Sequence, residues 1–180
     1  MIHINRRTVL AGGLAGMIAA PALAHPAGWR AAAGSTVLVY DPALNSGRRF
    51  AEAGSVGAGA VLALEGDRIR FARKLLASQP SLVAGISRGA DALLIEDVAR
   101  EAGYARTALF RTASGGCIAL DCRRGWEALG RAMEASCGHW PEALASCAQQ
   151  AGSPAGRAAP AAATGSDAGS ALGWIIAPAR

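Results

Sequence analysis

From Ser35 onward the chain alternates short runs of β-branched and aliphatic residues with longer segments whose apolar positions recur every three or four residues. Residues 36–40, Thr-Val-Leu-Val-Tyr, predict a buried strand that ends at Asp41-Pro42, and a helix follows over 46–53. Residues 58–64 predict a second strand, closed by Glu65-Gly66-Asp67. The next segment sets Ile69, Ala72 and Leu76 on one stripe with Phe71 and Leu75 beside it, and Arg68, Arg70, Arg73 and Lys74 around the other side. That is the pattern of a surface helix over a sheet, with Asp67 as its N-cap. Residues 82–86 predict a third strand. Ala90, Leu93, Leu94 and Val98 then mark the inner face of a helix that stops near Gly103, with Glu96 and Arg100 as an i,i+4 pair outside.

The period changes after Gly103. Residues 106–112 and 117–121 are both strand-like and are joined only by Ala113-Ser114-Gly115-Gly116, which predicts a β-hairpin. Residues 125–136 and 141–149 read as a helical hairpin bent at Gly138-His139-Trp140-Pro141. Residues 151–170 are mostly Ala, Gly, Pro and Ser, with little to bury, and read as a flexible loop. Residues 171–177, with Trp174, Ile175 and Ile176, return as a final strand. Three consecutive strand–helix units followed by a hairpin predict an α/β fold. It is a single three-layer domain with a mixed, mostly parallel sheet of about five or six strands, a β-hairpin and a C-terminal helical hairpin. The domain occupies 25–150, the loop 151–170, and the returning strand of the same domain 171–180.

The first two dozen residues follow a different logic. A polar start with Asn5, Arg6 and Arg7 leads into an Ala/Gly-rich apolar run to about Ala20, then Pro21-Ala22-Leu23-Ala24. This is the three-part layout of a secretory signal, and the small side chains at Ala22 and Ala24 place the cut after Ala24. The apolar run is too short and too weakly apolar for a stable membrane anchor. Asn5-Arg6-Arg7-Thr8-Val9-Leu10-Ala11 resembles the twin-arginine translocation motif, keeping the paired arginines and Leu10. The resemblance implies the twin-arginine translocase as a partner, passage across the membrane in a folded state, and a periplasmic or secreted destination.

Cleavage leaves about 156 residues, one domain with room for a sizeable core. Arg6 and Arg7 account for two of the eighteen basic residues, and the rest are interspersed with thirteen acidic ones. Without a basic run or interleaved aromatics, nucleic acid is not an expected partner. Cys117, Cys122, Cys137 and Cys147 all fall late in the chain, and an even count in an oxidising compartment predicts two disulfides. If 117–121 is extended, the step to Cys122 spans about 16 Å, whereas a bridge needs Cα atoms within about 7 Å. Crossed pairing, with the 117/122 segment stapled to the 137/147 segment, is therefore the expectation. The cysteine spacing does not suit zinc, and no metal or cofactor is expected. His25, as a processed terminus, could chelate copper only with His139, in a manner known from β-sandwich rather than α/β proteins. Trp29, Trp126, Trp140 and Trp174 each neighbour apolar residues and read as core.

In an open α/β sheet, ligands bind at the carboxyl ends of the parallel strands. The loops expected there carry Asp41, Asn45, Ser46, Arg48 and Arg49, then Glu65 and Asp67, then Ser87, Arg88 and Asp91. Helix N-termini beside Arg48 and Arg88 suit a carboxylate or phosphate. The ligand-binding set is thus Asp41, Ser46, Arg48, Ser87, Arg88 and Asp91, and it implies a small anionic ligand or a periplasmic partner protein. The leading expectation is a non-catalytic binding or accessory protein. The alternative rests on Gly85-Ile86-Ser87-Arg88-Gly89, a G-x-S-x-G turn that resembles the nucleophile elbow of α/β-hydrolases. That resemblance implies a small serine hydrolase with Ser87 as nucleophile, His139 as base and Asp121 as its orienting acid; otherwise Ser87 is a helix N-cap.

Overall fold

The computed structural model describes residues 33–151, 167 and 171–179. The expected signal segment 1–24, His25, Trp29 and most of the 151–170 stretch lie outside the described residues.

The elements run β1 (Thr36–Tyr40), α1 (Asn45–Gly54), β2 (Ala60–Ala63), α2 (Arg68–Leu76), β3 (Leu82–Arg88), α3 (Gly89–Glu101), β4 (Tyr104–Ala113), β5 (Gly116–Cys122), α4 (Glu127–Ala135), a 3-10 turn (Cys137–His139), α5 (Trp140–Ala151) and β6 (Ala171–Pro178). They build one six-stranded mixed sheet in the order β2-β1-β3-β6-β4-β5, with helices on both faces, as the alternating pattern predicts. Strands β1, β2, β3 and β4 point one way, and β5 and β6 the other. The final strand inserts antiparallel between β3 and β4, because β6 is apolar on both sides and belongs in the middle of a sheet. Ser114-Gly115 closes the β4–β5 hairpin, with Gly115 at the positive φ that such a turn requires.

Each face has its own core. Leu38, Phe50, Phe110, Met133, Trp140, Leu144 and Ile175 pack where α1, α4 and α5 lie. Val37, Val39, Leu75, Ile95, Trp174 and Ile176 pack under α2 and α3. Asp67 caps α2 as expected, its carboxylate accepting from the N–H groups of Ile69 and Arg70. The α3 face differs from the expected one. The buried positions are Ala92, Ile95, Val98 and Ala99, while Leu93 is 61% exposed and Leu94 is also exposed. Two alanines let the helix press closer to the sheet than two leucines would, and the helix is rotated accordingly.

The expected crossed disulfides are not formed, and all four cysteines are free thiols. Extended β5 does keep Cys117 and Cys122 apart. Cys122 turns against α4, where a Cβ on Gly130 would stand 3.0 Å from its sulfur, and half-buried Cys147 of α5 packs against the core. The start of β5 alone backs onto the 3-10 turn, with a Cβ on Gly116 falling 3.1 Å from the Cys137 Cα.

Candidate functional site

At the carboxyl ends of β1, β2 and β3, ion pairs and hydrogen bonds sort the expected residues into those gathered at that edge and those used elsewhere. Asp41 is buried directly after β1. One carboxylate oxygen accepts from the Ala43 N–H at 2.8 Å, closing the turn into α1, and the other lies 3.3 Å from Arg88 Nε. Arg88 occupies the N-cap position of α3 without a side-chain cap and is 58% exposed, so its guanidinium bridges the buried carboxylate and solvent. Arg48 is exposed on α1 and donates to the Pro42 carbonyl at 2.9 Å. Below this group burial, and then the Glu65 charge, raise the Tyr40 phenol pKa.

The N-terminus of α1 is where the anion expectation meets a definite answer. Leu44 holds the N-cap position and has no side-chain acceptor to offer. The carboxylate comes instead from Asp167: Asn45 N–H donates to one oxygen at 2.8 Å and Ser46 N–H to the other at 2.5 Å. Burial pushes the Asp167 carboxyl up. The Ser46 hydroxyl and backbone, the Asn45 N–H and the Arg48 charge outweigh that push and hold it below its usual range. The chain thus places a carboxylate of its own on a helix N-terminus flanked by arginine.

Two residues that the sequence assigned near this crevice do structural work. Arg49 is buried and forms a two-pronged pair with Glu142 of α5 at 2.7 and 2.8 Å, while also donating to the Gly138 carbonyl at 2.6 Å. Asp91 accepts from Arg68 Nε at 3.0 Å, tying α3 to α2.

Ser87 lies within β3, fully enclosed, rather than on an open turn or at the α3 cap. Its hydroxyl accepts from Trp174 Nε1 at 3.0 Å and contacts the Arg88 carbonyl at 3.2 Å. The preceding glycine serves the same tryptophan: a Cβ on Gly85 would fall 2.3 Å from Trp174 Cζ2. The first and third positions of the pentapeptide are therefore explained by one packed indole, while Ile86 packs into the core on the opposite face. Trp174 and Ser87 are on the α2/α3 face, whereas exposed His139 lies in the turn between α4 and α5, on the other face. Asp121 pairs with Arg106. No hydrogen bond joins any two of Ser87, His139 and Asp121, and the sheet separates the first two.

Sequence reasoning missed two features. Asp167 is the one acidic residue in the Ala/Gly/Pro/Ser-rich stretch 151–170, and that isolation was its signal. The second is a cavity of about 360 Å³ at the opposite edge of the sheet, lined in part by Arg100, Arg106 and Arg123. Among the described residues no cluster of three His, Cys, Asp or Glu is placed to hold a metal. No known protein family, curated protein or solved structure matches the chain.

Proposed function

We propose that the protein is exported through the twin-arginine route and acts outside the cytoplasm as a non-catalytic binding or accessory protein. Its crevice takes the carboxylate or phosphate of a small ligand, or an acidic side chain of a partner. The observation that carries the reading is the Asp167 carboxylate on the Asn45 and Ser46 N–H groups beside Arg48. A pocket that draws its own carboxylate well into ionisation has the donors and the field to hold another. Arg88, anchored by buried Asp41 yet open to solvent, supplies a second cation on the same rim. The export half of the proposal is supported by the paired arginines, the short apolar run and the Ala-Leu-Ala site at 22–24.

A thermal-shift series with malonate, citrate and inorganic phosphate tests the crevice. A ligand at a hundred times its Kd stabilises the fold by about 2.7 kcal/mol. That stabilisation should weaken in Arg88→Gln and strengthen in Asp167→Asn, where the α1 N-terminus is vacated. No shift in either the unmodified protein or Asp167→Asn would refute the reading. For export, N-terminal sequencing of the native protein should begin at His25.

A further inference from the structure

The α2/α3 face of the sheet is covered unevenly. The small-residue stripe of α3 seats that helix over the middle strands and leaves Leu93 and Leu94 turned away from the core. Beside α3, β6 and β4 present Leu172 and Leu109 on the same face, and a small apolar crevice of about 30 Å³ lies between them and Leu93. Farther out, Ile118 and Leu120 of β5 stand exposed. The crevice ends at the Glu96–Arg106 ion pair, whose members also wall the cavity of about 360 Å³ beyond. The two spaces adjoin at Glu96 and Arg106 along one groove line, the first apolar at the α3–β4 seam and the second lined by arginines.

The charges at that end are unevenly paired. Arg106 reaches Glu96 with one terminal nitrogen and Asp121 with the other, while its buried Nε has no partner. Arg100 leans on Glu96 and Asp97 but stays largely exposed. Arg123 forms no ion pair among the described residues, although it lines the cavity. Glu96, Asp97 and Asp121 thus balance the three guanidinium groups in number, but Arg123 is left without a carboxylate of its own and lines the cavity. An occupant that complements the whole groove is apolar at one end and anionic at the other. We propose that this groove is a second binding site, for a narrow aliphatic amphiphile with a carboxylate head: the chain lies along Leu93, Leu109 and Leu172, and the head sits between Arg100 and Arg123. A narrow chain is specified because the apolar seam admits little more than a methylene thread, and a head with two oxygens suits forked guanidinium donors.

The site lies at the opposite sheet edge from the Asp41/Arg88 crevice, so the two stand or fall separately. Sodium decanoate below its micelle concentration is the probe, with decanol and acetate as controls, and binding is read by calorimetry and by the fluorescence of Trp174, which lines the seam. Decanoate should bind, and both controls should bind at least tenfold more weakly. Arg123→Gln and Leu93→Ser, both surface changes, should each weaken decanoate at least fivefold, and Arg88→Gln should leave it unchanged. The proposal is overturned if decanoate does not bind, if decanol binds as well as decanoate, or if Arg88→Gln rather than Arg123→Gln removes the binding.

Discussion

Replacing Gly85 with alanine tests the account of the G-x-S-x-G segment as the seat of Trp174. The new methyl would start 2.3 Å from Cζ2 and 2.6 Å from two further ring atoms of an indole that is almost fully enclosed. Ordinary carbon contacts lie at about 3.5–4.0 Å, so the ring must retreat by more than 1 Å. Overpacking of this kind costs about 1–3 kcal/mol. The retreat also pulls Nε1 from the Ser87 hydroxyl at 3.0 Å, and a buried donor left unpaired costs about 1–3 kcal/mol more. The expected loss is about 2–6 kcal/mol, or roughly 4–24 °C in Tm for a domain of this size. Urea denaturation followed by circular dichroism measures it. Ser87→Ala, which removes only the acceptor, should cost about 1–3 kcal/mol, and the double variant should fall short of the sum because both changes act on one ring. A Gly85→Ala protein within 0.5 kcal/mol of the original, as for an ordinary surface change, would refute the reasoning.

Other consequences follow from the buried charges and thiols. Arg49→Met strands Glu142 and the Gly138 carbonyl and should cost about 3–5 kcal/mol in chemical denaturation, whereas Arg49→Met with Glu142→Leu should recover most of it; equal losses would show that the pair does not couple α1 to α5. Asp167 titrates lower in the folded chain than in the unfolded one, so its stabilisation is complete above about pH 4 and drains away as pH falls through the folded value. Asp167→Asn should flatten that part of an acid stability profile, and an unchanged slope would count against the seat on α1. Burial foremost, then Glu134 and Cys137, push the Cys117 thiol up from 9.0 to about 12. Folding therefore favours the protonated thiol, and stability should fall as pH rises from about 9 toward 12, a slope that Cys117→Ala makes shallower, the raised Cys122, Cys147, Tyr40 and Tyr104 groups keeping the remainder. In timed alkylation of the native protein, exposed Cys137 should react before Cys117.

The sequence made the local fold legible because period and punctuation are local properties. The 36–40 run, the Asp67 cap and the hairpin around Gly115 each declare themselves within a few residues. What stayed hidden depended on partners far along the chain. Nothing near 171–178 says that β6 enters between β3 and β4, since the choice is made by how both its faces are buried. Arg49 and Asp91 looked like crevice residues because they lie close to strand ends, yet their partners, Glu142 and Arg68, arrive from other helices. The α3 face was misjudged for a subtler reason. Leu93 and Leu94 promise more buried area than Ala92 and Ala99, but a helix lying close over a sheet gains contact through small residues. Ser87 had the right neighbours for an elbow, and only the indole opposite Gly85 reveals why those neighbours are there.

The insertion of β6 links both proposed sites. Its start brings Asp167 to the α1 N-terminus, and just past its end the Ala179 N–H donates to the Gly103 carbonyl in the wall of the arginine-lined cavity. Between them, Leu172, Trp174 and Ile176 line the apolar seam. The Trp174–Ser87 tie therefore sits between a carboxylate seat at one edge and an arginine-lined groove at the other. A change confined to a rim, such as Arg88→Gln or Arg123→Gln, should disturb one site alone. Displacing the indole shifts the strand that serves both, so Gly85→Ala should weaken malonate binding at the crevice and decanoate binding at the groove together.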